Sequence, residues 1–138
     1  MTALIHSSRI ADRQPVLVGV GQVTQREPDP RAAMGPLDLM ASAAKAAAAD
    51  SGAGDGLLQA LDQLTVIRLF ADTSPRFVSP FGKQTNPPLS VARRIGAAVV
   101  RQHVYTWPGG NMPQYCLNRL GEAITRGEVD AALVVGAE

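Results

Sequence analysis

The sequence predicts an α/β layer fold built on a mainly parallel sheet. Three observations carry this. Apolar runs of strand length alternate along the chain with stretches that are apolar at helical spacing. The runs at Val16–Val20 and Ala131–Gly136 show no in-out alternation, the habit of strands covered on both faces. Finally, only 4% of the 138 residues are aromatic while alanine is abundant, so the core must consist of small aliphatic side chains in closely stacked layers.

Each element follows in order. Beyond a polar N-terminal arm (1–14), Pro15 opens the β-branched run Val16-Leu17-Val18-Gly19-Val20-Gly21, expected to be a buried central strand. Gln25 to Gly35 holds charges, prolines and a glycine and reads as a loop. Asp38 caps or charges the start of a helix on which Leu37, Met40, Ala41, Ala44 and Ala48 share one face, and Ser51-Gly52 ends it. Leu57 to Gln63 reads as a short helical or turn segment, and Leu64 to Phe70 as a second strand. The proline-rich stretch from Ala71 to Pro88 is an irregular loop of a length usually tied to function or an interface. Asn86 caps a helix whose first turn tolerates Pro87 and Pro88 and which runs to Gly96. Gln102 to Trp107 is a third strand, Pro108-Gly109-Gly110 breaks the chain, and Asn111 caps a long helix with Pro113 in its first turn, ending near Gly127. Ala131 to Gly136 is the fourth strand. It stops two residues before the last one, which leads us to expect that its next sheet position belongs to residues outside this chain.

Composition narrows the function. With 13 basic and 12 acidic residues, scattered rather than striped, the chain offers no field for a polyanion, so nucleic acid is not an expected partner. No apolar run approaches the roughly 20 residues of a membrane span, and no signal peptide is evident; a cytoplasmic location is expected. One cysteine and two distant histidines, His6 and His103, leave no metal site to expect.

Four features hold candidate chemistry. Gly19-Val20-Gly21 after a strand suggests a dinucleotide loop, but Thr24 stands where the third glycine belongs and a long loop follows. The Gly109-Gly110 turn before the capped helix is the best candidate site, formed by Gly109, Gly110, Asn111 and Met112: amides at a helix start favour an anion or a developing oxyanion, and glycines let a ligand approach the backbone. The same glycines would also serve a plain strand-to-helix turn. Cys116 shares a helical stripe with Leu120, Ala123, Ile124 and Gly127, more than a turn inside the helix, so it reads as a buried structural thiol. His103 has no acidic neighbour in sequence to orient it, Asn118 and Arg119 read as the polar face of the helix, and Trp107 beside the turn either packs or stacks on a ligand.

Taken in order, Pro15-Val16-Leu17-Val18-Gly19, Ala48-Ala49-Asp50-Ser51-Gly52, Leu61-Asp62-Gln63-Leu64-Thr65-Val66, Asn86-Pro87-Pro88, Tyr105-Thr106 and the closing Arg126-Gly127-Glu128-Val129-Asp130-Ala131-Ala132-Leu133-Val134-Val135-Gly136-Ala137-Glu138 resemble the N-terminal part of the thiolase superfamily. Gly109-Gly110-Asn111 with Pro113-Gln114 is most similar to the acetyl-CoA acetyltransferase-like, sterol-carrier-associated thiolases and thiolase-like proteins. The resemblance implies a half-domain over 15–138, with a mixed five-stranded sheet of which four strands are present, packed between helices within a five-layer αβαβα sandwich whose C-terminal half this chain lacks. It also implies a homodimer or larger homo-oligomer through the third strand, and a role in lipid metabolism.

In catalytic thiolases the nucleophilic cysteine opens the helix after the third strand. Counting from Tyr105-Thr106 places that position at Asn111, and counting back from Gly127-Glu128 places it at Gly110. Neither count reaches Cys116. The resemblance therefore implies an acyl-CoA protein with a coenzyme A thioester as ligand, no other bound cofactor, and no catalytic residue of the usual kind. A working acetyltransferase with its nucleophile elsewhere and a non-catalytic dimerisation subunit are the alternatives.

Overall fold

The computed structural model describes residues 12–29, 31–97 and 99–138; His6 and most of the expected arm lie outside the described residues. The order of elements is α1 (Pro36–Asp50), α2 (Asp55–Gln59), β1 (Gln63–Val66), a 3-10 turn (Phe70–Asp72), α3 (Pro87–Arg94), β2 (Gln102–Tyr105), α4 (Met112–Thr125) and β3 (Ala132–Val135). Among the described residues the sheet has three strands in the order β2-β1-β3, both pairs parallel.

The core sits where the apolar spacing placed it. Leu37, Met40, Ala41, Ala44 and Ala48 of α1 are all buried, and they pack with Val91 and Ala92 of α3 against Leu64 and Val66, both fully buried on β1. Asp38 supplies charge to the first turn of α1 rather than a cap; its carboxylate pairs with Arg94 Nε of α3 at 2.7 Å. Asn86 Oδ1 accepts from Leu89 N–H at 3.0 Å, the expected cap of α3. On the opposite face of β1, Gln63 and Thr65 look toward α4, which packs on β3 and leaves an open trough toward β2 lined in part by Cys116 and Leu120. The chain thus forms one helix/sheet/helix sandwich.

Asp62 ties the amino ends of the strands together. One carboxylate oxygen accepts from the backbone N–H groups of Asp130 and Ala131 at 2.8 and 3.2 Å, just before β3, and the other takes Arg101 Nε and Nη2 at 3.0 and 2.5 Å, just before β2. Those two amide bonds, ahead of the Arg101 guanidinium, hold the carboxyl below its ordinary 3.8.

Two expectations need correction. Val16–Val20 is not a strand, so the described residues form three strands rather than four: Val16, Leu17, Val18 and Val20 are 54–75% exposed. The reason lies in the glycines. Gly19 and Gly21 press the chain onto α1 so closely that a Cβ on either would overlap a backbone carbonyl oxygen, of Ala47 or Ala43. Val20 N–H is taken by Asp50 Oδ2 at 2.9 Å, so the segment is held by α1 rather than by a ladder. The second strand also ends early, at Val66, because the chain turns at Phe70–Asp72. Of the expected arm, Arg13 lies across Gly127 at the end of α4 and pairs with Asp130 at 3.1 Å.

Candidate functional site

Parallel sheets present ligand-binding loops at the carboxyl ends of their strands, and the Gly109 turn lies at that end of β2. Gly109 has φ +148°, a conformation open to glycine, and Met112 N–H closes the turn onto its carbonyl at 3.0 Å. Gly110 is exposed with open space around its Cα, and its φ lies outside the left-handed region. Asn111 stands at the N-cap of α4 but makes no side-chain cap bond; its Oδ1 lies over Gly109 instead. This corrects the expected cap, and it leaves the first amides of α4 without a side-chain acceptor from Asn111.

The trough beside this turn has a volume of about 420 Å³, between the β1–β2 face and α4. Met112, Trp107, Tyr115, Thr106 and Cys116 are among its lining residues, whereas Gly109, Gly110 and Asn111 are not. The four expected site residues are thus contiguous, with Met112 in the trough and the other three outside its lining. Trp107 is 77% exposed, so it is not a core residue. His103 is exposed on β2, and Asn118 and Arg119 lie on the polar face of α4, where Asn118 accepts from Gln114 and Arg119 pairs with Glu122 at 2.8 Å.

Contacts that the sequence reading did not anticipate hold the end of β2 in place. Arg68 N–H donates to Thr106 Oγ1 at 3.1 Å, and Arg68 Nε donates to the Thr106 carbonyl at 2.8 Å. The Arg68 guanidinium carbon lies 4.5 Å from the centre of the Tyr105 ring, within cation–π range. Tyr105 donates its hydroxyl to the Asp72 carboxylate and accepts from Leu69 N–H at 3.2 Å. Burial, then the Asp72 hydrogen bond, pushes that hydroxyl up to about 12, so Tyr105 stays a neutral donor across the ordinary pH range. The signal available in sequence was Arg68, a charged residue within an apolar run.

Cys116 is buried on α4, and desolvation raises its thiol pKa. A buried, protonated thiol is a poor nucleophile. We expect iodoacetamide to label native Cys116 on the order of a hundredfold more slowly than the denatured chain, measured by intact mass. Rapid labelling of the native protein, blocked by coenzyme A, would instead mark it as a reactive site thiol. Among the described residues, no three His, Cys, Asp or Glu side chains converge as a metal site would require, and no helix is long and apolar enough to cross a membrane.

Neither a family model nor a curated protein matches the chain. Among solved structures it is similar to a monomeric SCP2-thiolase like protein type 1 from Mycobacterium smegmatis, with 36% identity and a TM-score of 0.72 over 91% of this chain. The chain spans 24% of the length of that protein. A likeness of this extent, in fold and in sequence together, agrees with the ordered segments from Pro15 to Glu138, and the chain belongs to the thiolase superfamily, on the side of its SCP2-thiolase-like proteins.

Proposed function

We propose that the chain is part of a thiolase-like acyl-CoA protein whose Gly109–Met112 turn receives the thioester end of the ligand without forming an acyl-cysteine. One observation supports this reading above others: where the resemblance puts the nucleophile, the chain has Gly110 and Asn111 at an exposed helix start, while its single cysteine is buried further along α4. Amides at that helix start favour the thioester oxygen, and Trp107 and Met112 offer apolar surface beside it. Cytoplasmic acyl-CoA or lipid metabolism is the setting this reading implies.

Gly110→Val tests it, because a side chain there meets open space and an ordinary backbone conformation, yet blocks close approach of a ligand. Calorimetric titration of acetyl-CoA is expected to show affinity falling on the order of tenfold or more, about 1.4 kcal/mol, with the unfolding transition unchanged. Equal affinity in the folded variant would remove the ligand from this turn. An acyl-enzyme trapped after incubation with acetyl-CoA would favour instead an active acetyltransferase with another nucleophile.

We further propose that the open edge of β2, where Gln102, His103 and Val104 are exposed, pairs with a second copy to form a homodimer. The M. smegmatis protein is described as monomeric, so the state of this chain needs its own measurement. Sedimentation at rising concentration is expected to show a dimer; a monomer throughout would refute it.

A further inference from the structure

The helices that follow β1 and β2 leave the sheet on opposite sides. The two strands are parallel neighbours, yet α3, which follows β1, packs on the face of Leu64 and Val66, while α4, which follows β2, lies over the face of Gln63 and Thr65. The connections therefore part at the carboxyl ends of these strands, and the crevice at such a parting is where open α/β sheets hold ligands. Arg68 stands at this point, bridging the two strand ends through Thr106. Among the described residues it is the one basic side chain that is not exposed, and every ion pair of those residues belongs to another arginine. The nearest acid in sequence, Asp72, takes the Tyr105 hydroxyl instead. Beyond Asp72, the loops that lead to α3 and α4 carry Arg76 and Lys83 and no acidic residue.

We propose that Arg68 binds a carboxylate in this crevice and so selects the ligand by chemical class. The geometry leaves one edge of the guanidinium for it. Nε is engaged by the Thr106 carbonyl at 2.8 Å and one face lies on the Tyr105 ring, so the group is oriented before a ligand arrives. Nη1 and Nη2 meet no protein acceptor among the described residues, and neither is sealed from solvent. Their N–H groups form the parallel fork that a carboxylate accepts with both oxygens. A half-buried cation without a counter-charge also costs free energy, which an incoming anion recovers. A phosphate dianion fits less well, because one guanidinium balances one charge and the Asp72 carboxylate is held by the same tyrosine. Two sources carry such a group: a small free acid, or the far end of the acyl group on a thioester held by the Gly110 turn. The second rests on the acyl-CoA reading above; the first does not.

Fluorescence of Trp107, the only tryptophan, reports on the crevice, because its amide nitrogen shares a peptide unit with the Thr106 carbonyl. At constant ionic strength, sodium butyrate is expected to give a saturable change, and butyramide, of the same shape without the charge, none. Arg68→Met should weaken butyrate binding at least about tenfold, and Arg68→Lys, which keeps the charge but not the fork, should restore only part of it. The butyramide comparison needs no variant, so it decides the matter even where Arg68→Met fails to fold. Calorimetry with succinyl-CoA against butyryl-CoA separates the two sources. A preference of about tenfold or more for succinyl-CoA, lost in Arg68→Met, assigns the carboxylate to the acyl group; equal affinity with butyrate still bound assigns it to a free acid. Butyrate binding with no acyl-CoA binding at all would keep the Arg68 site and remove the ligand proposed for the Gly110 turn. Three results overturn the assignment: no saturable response to butyrate together with no preference for succinyl-CoA, a butyramide response equal to that of butyrate, or undiminished butyrate binding in a folded Arg68→Met variant.

Discussion

Asp62→Ala is expected to destabilise the protein by about 1–2 kcal/mol, read from urea unfolding at neutral pH. The carboxylate accepts from two backbone N–H groups and from Arg101; truncation removes the acceptor of the half-buried Ala131 amide and of the Asp130 amide, while the exposed Arg101 guanidinium can turn to water. The loss falls on the sheet itself, because the same side chain joins the start of β1 to the starts of both its neighbours. The pH dependence has a definite sign. The native carboxyl titrates below its ordinary 3.8, so the folded state binds its proton less readily than the unfolded chain does. Its stabilisation is complete above about pH 5 and is lost as pH falls through roughly 4 toward the lowered native value. The variant should therefore lose less stability than the parent between pH 5 and pH 3. Parallel stability curves over that interval would show that Asp62 contributes through packing alone.

Gly19→Val is expected to strip the Pro15–Gly21 segment from α1. A Cβ at that position would overlap the Ala47 carbonyl oxygen, a backbone atom that cannot rotate away, and overpacking of this kind costs about 1–3 kcal/mol. Among the described residues, the backbone bond from Val20 to Asp50, the proximity of Pro15 to Gly121 and the Arg13–Asp130 ion pair oppose the release. The body of the fold lies in the cluster of α1, α3 and β1 and does not include this segment, so the variant should stay folded. Limited proteolysis is the suitable measurement: cleavage near Val16–Val20 should quicken on the order of tenfold, with the far-ultraviolet signal retained. Unchanged cleavage would mean that the segment is not held there by its glycines.

The helices were readable from sequence because what sets them is local. The spacing of Leu37, Met40, Ala41, Ala44 and Ala48 fixes the buried face of α1, and Asn86 caps α3 through a bond three residues long. The site was readable in part: the turn falls at the end of β2, as its glycines indicated, but its supports did not show. Tyr105 meets Asp72, and Thr106 meets Arg68, across 33 and 38 positions, through a parallel register that no local pattern records. The Val16–Val20 run was misread for a related reason. Its β-branched, unalternating composition describes burial on both faces, but strand formation also needs a neighbour to bond with, and the chain gives that segment to α1 instead.

The position of β1 at the centre of the sheet has a consequence for biosynthesis. Both of its partners come later in the chain, β2 first and β3 some 68 residues after Asp62. At translation rates of about 5–20 residues per second, roughly 3 to 14 s separate the appearance of β1 from that of β3. During that interval one edge of Leu64-Thr65-Val66 is bare on the nascent chain, an apolar strand without a ladder on that side. The most buried strand among the described residues is thus also a stretch in need of shelter while the chain is being made.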